Sequence, residues 1–474
     1  MARIRGKIVK CLDTLDIGRL PELMTVLFAA LLLGLFPLAV WGGYGHVTIS
    51  KFVVLSWSCG DYLLALLLSL WWTGRWRGLV SPVGSWSLAQ RLLLLYLLLA
   101  LVSALASGSP VWLNQARWDG LLTLALLVFV CLSTAALGSW QDWYFSLAAA
   151  AALLMAGLGL WQLGGGNPLG LYPQGMDYYG GGQLYNGRFL GFIGNIDMVS
   201  AYWCLLLPLL LGGVLLLPGR RRWLPALALA GGGLTVLLMG VDGGLLALGL
   251  TALALGPLLL PPKLQLKAWG LSLLLLLLLA TALYCYNGPP QGTLWEASRV
   301  LHGELRPEFG SSRMLIWQEA LASPEGWQDW LLGTGPGTRA RHFTTVFQRY
   351  LPGGRLLRAA VDSAHSEYLD DLLELGLCGL LAYMSSLISS LVRAWRRRGD
   401  QRTVVLAGAV LCYSLQAAFN LRSVVVAPLF WLIWGLLLAR LRRLEGEESG
   451  SPQISLCKTD VALTSVTDKQ SKQN

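Results

Sequence analysis

A helical membrane protein that crosses the bilayer about twelve times is the fold class this chain predicts. Three observations point there. Apolar residues make up 55% of the 474 and charged residues only 13%, with a mean hydropathy of +0.57. Soluble domains carry roughly twice that charge fraction. Apolar runs long enough to span a bilayer, about 20 residues each, recur along the chain. The lysines and arginines gather in short clusters between those runs. There the formal charge of +10 reads as a topology signal and not as a nucleic-acid surface.

The runs predict spans near 22–41, 52–72, 88–107, 118–137, 141–163, 197–217, 223–241, 243–260, 268–286, 367–392, 403–420 and 423–440. Six basic clusters test that count: Arg3/Arg5/Lys7/Lys10, Arg75/Arg77, Arg220–Arg222, Lys263/Lys267, Arg393/Arg396–Arg398 and Arg440/Arg442/Arg443. All fall on one side of a twelve-span chain, and short cytoplasmic loops are the ones that collect Lys and Arg. Both termini are therefore expected in the cytoplasm, with the 164–190 and 287–366 loops sharing the outer face. The basic N-terminus leads into an apolar run without a small-residue cleavage site, which reads as a retained helix. The expected organisation is nine spans with a Gly-rich outer loop at 164–190 (1–286), a large extracytoplasmic loop containing short helices (287–366), three more spans (367–444) and a polar, disordered tail (445–474). The eight cysteines are scattered singly, so neither a disulfide framework nor a metal site is expected.

The 287–366 loop holds Arg299, Arg306, Arg313, Arg339, Arg341, Arg349, Arg355 and Arg358, and no lysine. Arginine offers a rigid donor fork that matches phosphate, whereas lysine is a mobile point charge. The loop closes on His365, a side chain suited to accepting a proton near neutral pH. Behind it, Glu367, Asp370 and Glu374 share one face of the tenth span, with Asp371 beside them. Acids so near lipid need arginine partners or a wet cavity. Earlier in the loop, Ser312 is a candidate N-cap for a short amphipathic helix with Met314, Trp317, Ala320 and Leu321 on one face, and Arg313 lies in its first turn. A Gly/Pro turn follows at Gly333–Gly337 under Trp327 and Trp330. In the Gly-rich segment, Arg188 precedes a helix, placed either to bind an anionic headgroup or to snorkel. Asp242 interrupts two spans, as a turn residue or as part of the same outer cavity.

Three blocks together resemble the O-antigen ligase/polymerase family of bacterial membrane glycosyltransferases. They are Arg188 to Asp197, the Arg-x-x-x-Trp-x-x-Ala-Leu…Gly-x-Gly-x-Gly run from Arg313 to Gly337, and the Ala-His-x-x-Tyr-Leu…Glu-x-Gly-x-x-Gly-Leu run from Ala364 to Leu380. The resemblance covers about 188–385. It implies a GT-C-like helical fold in the inner (plasma) membrane and an extracytoplasmic active site. It also implies metal-independent, inverting transfer from an undecaprenyl-diphosphate-linked glycan donor to a glycan or lipid acceptor. No cofactor is implied, and the partners are the lipid-linked donor, the acceptor and membrane lipids, with no nucleic acid. His365 looks like the family's base and Arg313 like its diphosphate-binding arginine, with Arg188, Arg339, Arg341, Glu367 and Tyr368 as substrate-binding candidates. The chain departs from the pattern at Val241-Asp242-Gly243, where a Ser-Arg-Gly-like motif is common, and at Ile196 and Asp197, where Pro and Asn are usual. Ligase and polymerase are not separable here. Two other readings stand beside transfer: a solute transporter, with Asp61 as its one ionisable residue at depth, and an inactive scaffold of a polysaccharide assembly complex.

Overall fold

In lipid every backbone N–H and C=O must be satisfied within the chain, so long apolar runs become helices. A computed structural model of the protein describes residues 17–75, 86–108, 112–114, 117–173, 190–339, 345–350 and 356–448. The first nine long helices are α1 Leu20–Gly34, α2 Val47–Trp72, α3 Leu88–Ala106, α4 Leu121–Leu137, α5 Trp143–Leu163, α6 Ile196–Leu216, α7 Trp223–Met239, α8 Asp242–Leu255 and α9 Pro262–Tyr284. Three shorter ones follow, α10 Thr293–Leu301, α11 Phe309–Ala322 and α12 Trp327–Leu332. The last three are α13 Glu367–Arg396, α14 Gln401–Ala417 and α15 Ala427–Glu448.

A helix thus stands at each of the twelve expected places, but among the described residues nine are long and apolar enough to cross a membrane. At the other three places, α4 and α14 are 17 residues each, and α15 carries Arg440, Arg442 and Arg443 in its last three turns. The 287–366 region is not purely helical. It contains an antiparallel hairpin, β1 Thr345–Tyr350 with β2 Leu356–Val361, in register from Thr345↔Val361 to Tyr350↔Leu356. Thr345, Val346 and Phe347 are the β-branched and aromatic types that favour strands.

Local sequence sets several helix starts. Ser87 and Gln90 form a reciprocal capping box before α3. Asn195 accepts from Asp197 N and Met198 N at the start of α6, and Asp400 accepts from Thr403 N before α14. The core is centred on α6, α14 and α15, with Trp203, Tyr96, Tyr383, Trp431 and Trp434 fully buried. Small residues let the backbones close up: a Cβ at Gly435 would lie 2.0 Å from Thr134 Oγ1 on α4. In contrast, α9 has no buried residue and lies at the periphery.

Candidate functional site

The site is built around a broken helix. Within α13 the backbone leaves helical geometry at Gly376 (φ 67°, ψ −177°), and Gly333, just past α12, has nearly the same conformation (φ 74°, ψ −177°). The two glycines meet: a Cβ on Gly376 would lie 2.3 Å from the Leu331 carbonyl, and one on Gly333 would lie 2.3 Å from the Glu374 carbonyl. Only glycine occupies that backbone region freely. The groups freed by the break are re-satisfied by the Gly333–Gly337 loop. Thr334 N donates to Leu373 O (3.0 Å), Gly335 N to Glu374 O (2.8 Å) and Gly337 N to Glu374 Oε1 (2.9 Å). Ser103 of α3 adds a hydroxyl donated to Glu374 O at 2.8 Å.

The break displays the acidic face of α13 to two arginines. Arg339, 5% exposed, contacts Asp370 (2.8 Å), Glu374 (3.0 Å) and Asp119 together. Burial works against its charge, but the three carboxylates outweigh it and hold the guanidinium protonated. Arg422, between α14 and α15, donates to Asp371 (2.6 Å) and to Tyr96 Oη (2.9 Å), with Glu367 and Glu374 each 3.8 Å away. The four acids that the sequence placed near lipid are therefore buried against arginine. A small cleft opens beside this cluster, lined by Asp119, Thr123, Pro336, Arg339, Glu374 and Arg422. Among the described residues no group of three or more His, Cys, Asp or Glu side chains is arranged to hold a metal ion.

Asp370 carries the network to the histidine. Its carboxylate accepts from Ser363 Oγ (3.0 Å) and Ala364 N (2.9 Å) while holding Arg339. That fixes the turn on which His365 stands in a left-handed conformation, φ 48°. A histidine there costs on the order of 1–3 kcal/mol, and such strain is typically found where geometry matters. Trp317 pins the other side by donating Nε1–H to Ala364 O at 2.8 Å. The imidazole itself makes no hydrogen bond to any described residue. Burial first, and the Arg313 charge second, hold its proton affinity below the usual histidine range, while Asp197 pulls the other way. The neutral ring is thus the form present near pH 7.

Arg313 opens the regular part of α11, one turn before Trp317. Residues Gly310, Ser311 and Ser312 are all left-handed (φ 63°, 60° and 68°), so Ser312 is not the extended N-cap the sequence suggested. The helix buries Phe309, Ile316 and Ala320 with Trp317 partly buried beside them, while Leu321 is exposed. Arg313 donates one Nη1–H to Gly310 O (2.9 Å), and its Nε–H is buried without a partner among the described residues.

The structure therefore brings His365 and Arg313 into one neighbourhood. Arg339 and Glu367 lie in the charge cluster, where Glu367 Oε2 is buried without a hydrogen-bond partner among the described residues. Tyr368 donates its hydroxyl to the Ser414 carbonyl on α14. Arg188 and Arg341 lie outside the described residues. Asp242 is exposed and accepts from Thr293 Oγ1 at 2.8 Å, tying the α7–α8 turn to α10. Sequence reasoning missed Asp119, Arg422 and Arg117. Arg117 holds Asp362 through two hydrogen bonds; burial raises that carboxyl's proton affinity, but Arg117 outweighs it and keeps the group ionised. Arg117 and Arg422 lie on connections the twelve-span reading had already put on the side of the large loop, and Asp119 lies at the start of the fourth expected span at the same end, so that topology was the signal available.

Residues 225–384 match the O-antigen ligase family model. No curated protein matches the chain. The matched stretch is about a third of the chain and holds Arg313, the Gly333–Gly337 loop, Arg339, His365 and the break at Gly376. Asp119 and Arg422 lie outside it. At family level the match indicates O-antigen ligase-type glycan transfer by a multi-pass membrane protein. The segment that supplies Arg313, Arg339 and His365 is thus the part of the chain that matches an O-antigen ligase-like family.

Proposed function

We propose that the protein transfers a glycan from an undecaprenyl-diphosphate-linked donor to an acceptor hydroxyl on the outer face of the inner membrane, as a metal-independent, inverting enzyme of GT-C-like, twelve-span architecture. The observation that carries this reading is the neighbourhood of a neutral His365 imidazole, unbonded among the described residues, and Arg313, whose buried Nε–H has no partner among them. His365 takes the proton of the acceptor hydroxyl as its oxygen attacks the anomeric carbon. The bond from that carbon to the diphosphate oxygen breaks, and the leaving group gathers negative charge beside Arg313. A fixed donor aimed at such charge typically contributes about 3–4 kcal/mol to the barrier, and a general base about 10²–10⁴-fold. Glu367 and Tyr368 are substrate-side candidates, as are Arg188 and Arg341, which lie outside the described residues. Arg339, saturated by three carboxylates, acts through Asp370 to position the histidine and does not reach the donor directly.

The test is transfer by purified protein in proteoliposomes, with a lipid-diphosphate oligosaccharide as donor. Arg313→Ala is expected to lose at least about 100-fold in turnover and His365→Ala at least about 100-fold, each with a normal level of protein in the membrane. Full turnover in either variant would sink the assignment. Tight donor binding without turnover in wild type would favour the scaffold reading.

A further inference from the structure

We infer that the exposed stripe of α2 around Asp61 is a docking surface for a transmembrane helix of a different protein, one that presents a basic or N–H-donating side chain to the Asp61 carboxyl. The stripe runs Trp57, Gly60, Asp61, Leu64, Leu68 and Trp71, three or four residues apart, on one exposed face. No described residue bonds to or pairs with Asp61, and a Cβ added at Gly60 would meet nothing within 4 Å.

Depth makes this face unusual. Trp71 and Trp72 end α2, where tryptophan marks the membrane interface. Asp61 lies ten residues earlier, about 15 Å along a helix rising 1.5 Å per residue. That is the middle of a hydrocarbon core about 30 Å thick. A carboxyl group facing lipid there is costly, and such groups almost always meet a polar partner or a wet cavity. The bundle supplies neither among the described residues. Gly60, immediately beside the acid, leaves the gap through which another helix backbone can approach closely.

A second copy of this chain is a poor occupant. Two copies related by an axis along the membrane normal would set Asp61 against Asp61, and the stripe carries no cationic side chain to separate them. Complementarity asks for a Lys, Arg, His, Asn or Gln at the same depth on a different helix.

The test places a benzophenone photo-crosslinker at Leu64 in the full-length chain in its native membrane, with Leu274 on the peripheral α9 as control. The expected result is an adduct from Leu64 and not from Leu274, whose crosslinked peptide is an apolar helix bearing one of those side chains. Its yield should fall at least tenfold in Asp61→Leu. Gly60→Leu, which keeps the carboxyl and fills the gap, should lower it as well, so the result does not hang on one variant's folding. Adducts with lipid alone, with a second copy of the chain, or with a helix lacking a polar residue at that depth would each overturn the inference. An undiminished yield in both variants would do the same.

Discussion

At the scale of single residues, His365 is held by its backbone and left free at its ring. Its φ of 48°, the Asp370 carboxylate on Ala364 N and the Trp317 indole on Ala364 O fix the turn, yet no described group takes up the imidazole. One prediction follows from the way its charge is set and another from the way its turn is held. Removing the Asp197 carboxylate, which favours the protonated ring, should lower its proton affinity further. Asp197→Asn is therefore expected to move the acid limb of the pH–rate profile to lower pH, and a limb that stays put or moves up would count against Asp197 facing the ring. Trp317→Phe keeps the aromatic packing against Phe419 but removes the hydrogen bond to Ala364. Losing one such bond costs about 1 kcal/mol, so turnover should fall about fivefold to tenfold while thermal stability changes little. His365 and Arg313 were readable from their places at the end of an arginine-rich loop and in the first turn of a short helix. The strain at His365 was not, because a left-handed histidine leaves no mark in composition.

At the scale of elements, the decisive contact is between two glycines. Gly333 and Gly376 stand 43 positions apart in sequence, and each backbone fills the space where the other's side chain would be. Gly376→Ala adds a Cβ 2.3 Å from the Leu331 carbonyl in a conformation alanine resists. The strain alone is worth about 1–3 kcal/mol and the clash adds to it. The expected result is a clear loss of thermal stability in purified protein, with transfer lost alongside. Unchanged melting would show that the crossing does not hold the loop. The long helices were legible because lipid leaves an apolar run no alternative. The break was not, since a glycine inside a helical pattern is ordinarily only a weak spot. On α11 the expected face holds at Trp317 and Ala320 but not at Leu321, which is exposed, and the three left-handed residues at Gly310–Ser312 were not legible because only glycine announces that conformation.

At the scale of the whole molecule, buried charge ties distant connections into one rigid mouth. Asp119 precedes α4, Arg339 follows α12, Asp370 and Glu374 open α13, and Arg422 bridges α14 and α15. The sequence showed four acids needing arginine, but which arginines answered depends on helices hundreds of residues apart meeting at one end. Breaking a buried pair from one side leaves uncompensated charge and typically costs about 3–5 kcal/mol. Arg339→Gln should therefore lower the melting temperature markedly. Arg313→Ala, at a half-buried side chain whose one hydrogen bond among the described residues is to a carbonyl, should leave it nearly unchanged and yet abolish transfer. Similar melting behaviour in the two variants would remove the distinction between a positioning and a reacting arginine.

The most direct test of the central claim is the pH dependence of single-turnover glycan transfer in proteoliposomes, compared between wild type and His365→Ala. A base held below the usual histidine value of about 6.5 gives a rate that is flat near pH 7 and falls only at more acid pH. The account predicts that limb in wild type, and in His365→Ala a residual rate at least about 100-fold lower with the limb gone. A variant that keeps the same limb would place the proton-accepting group elsewhere and contradict the assignment of His365.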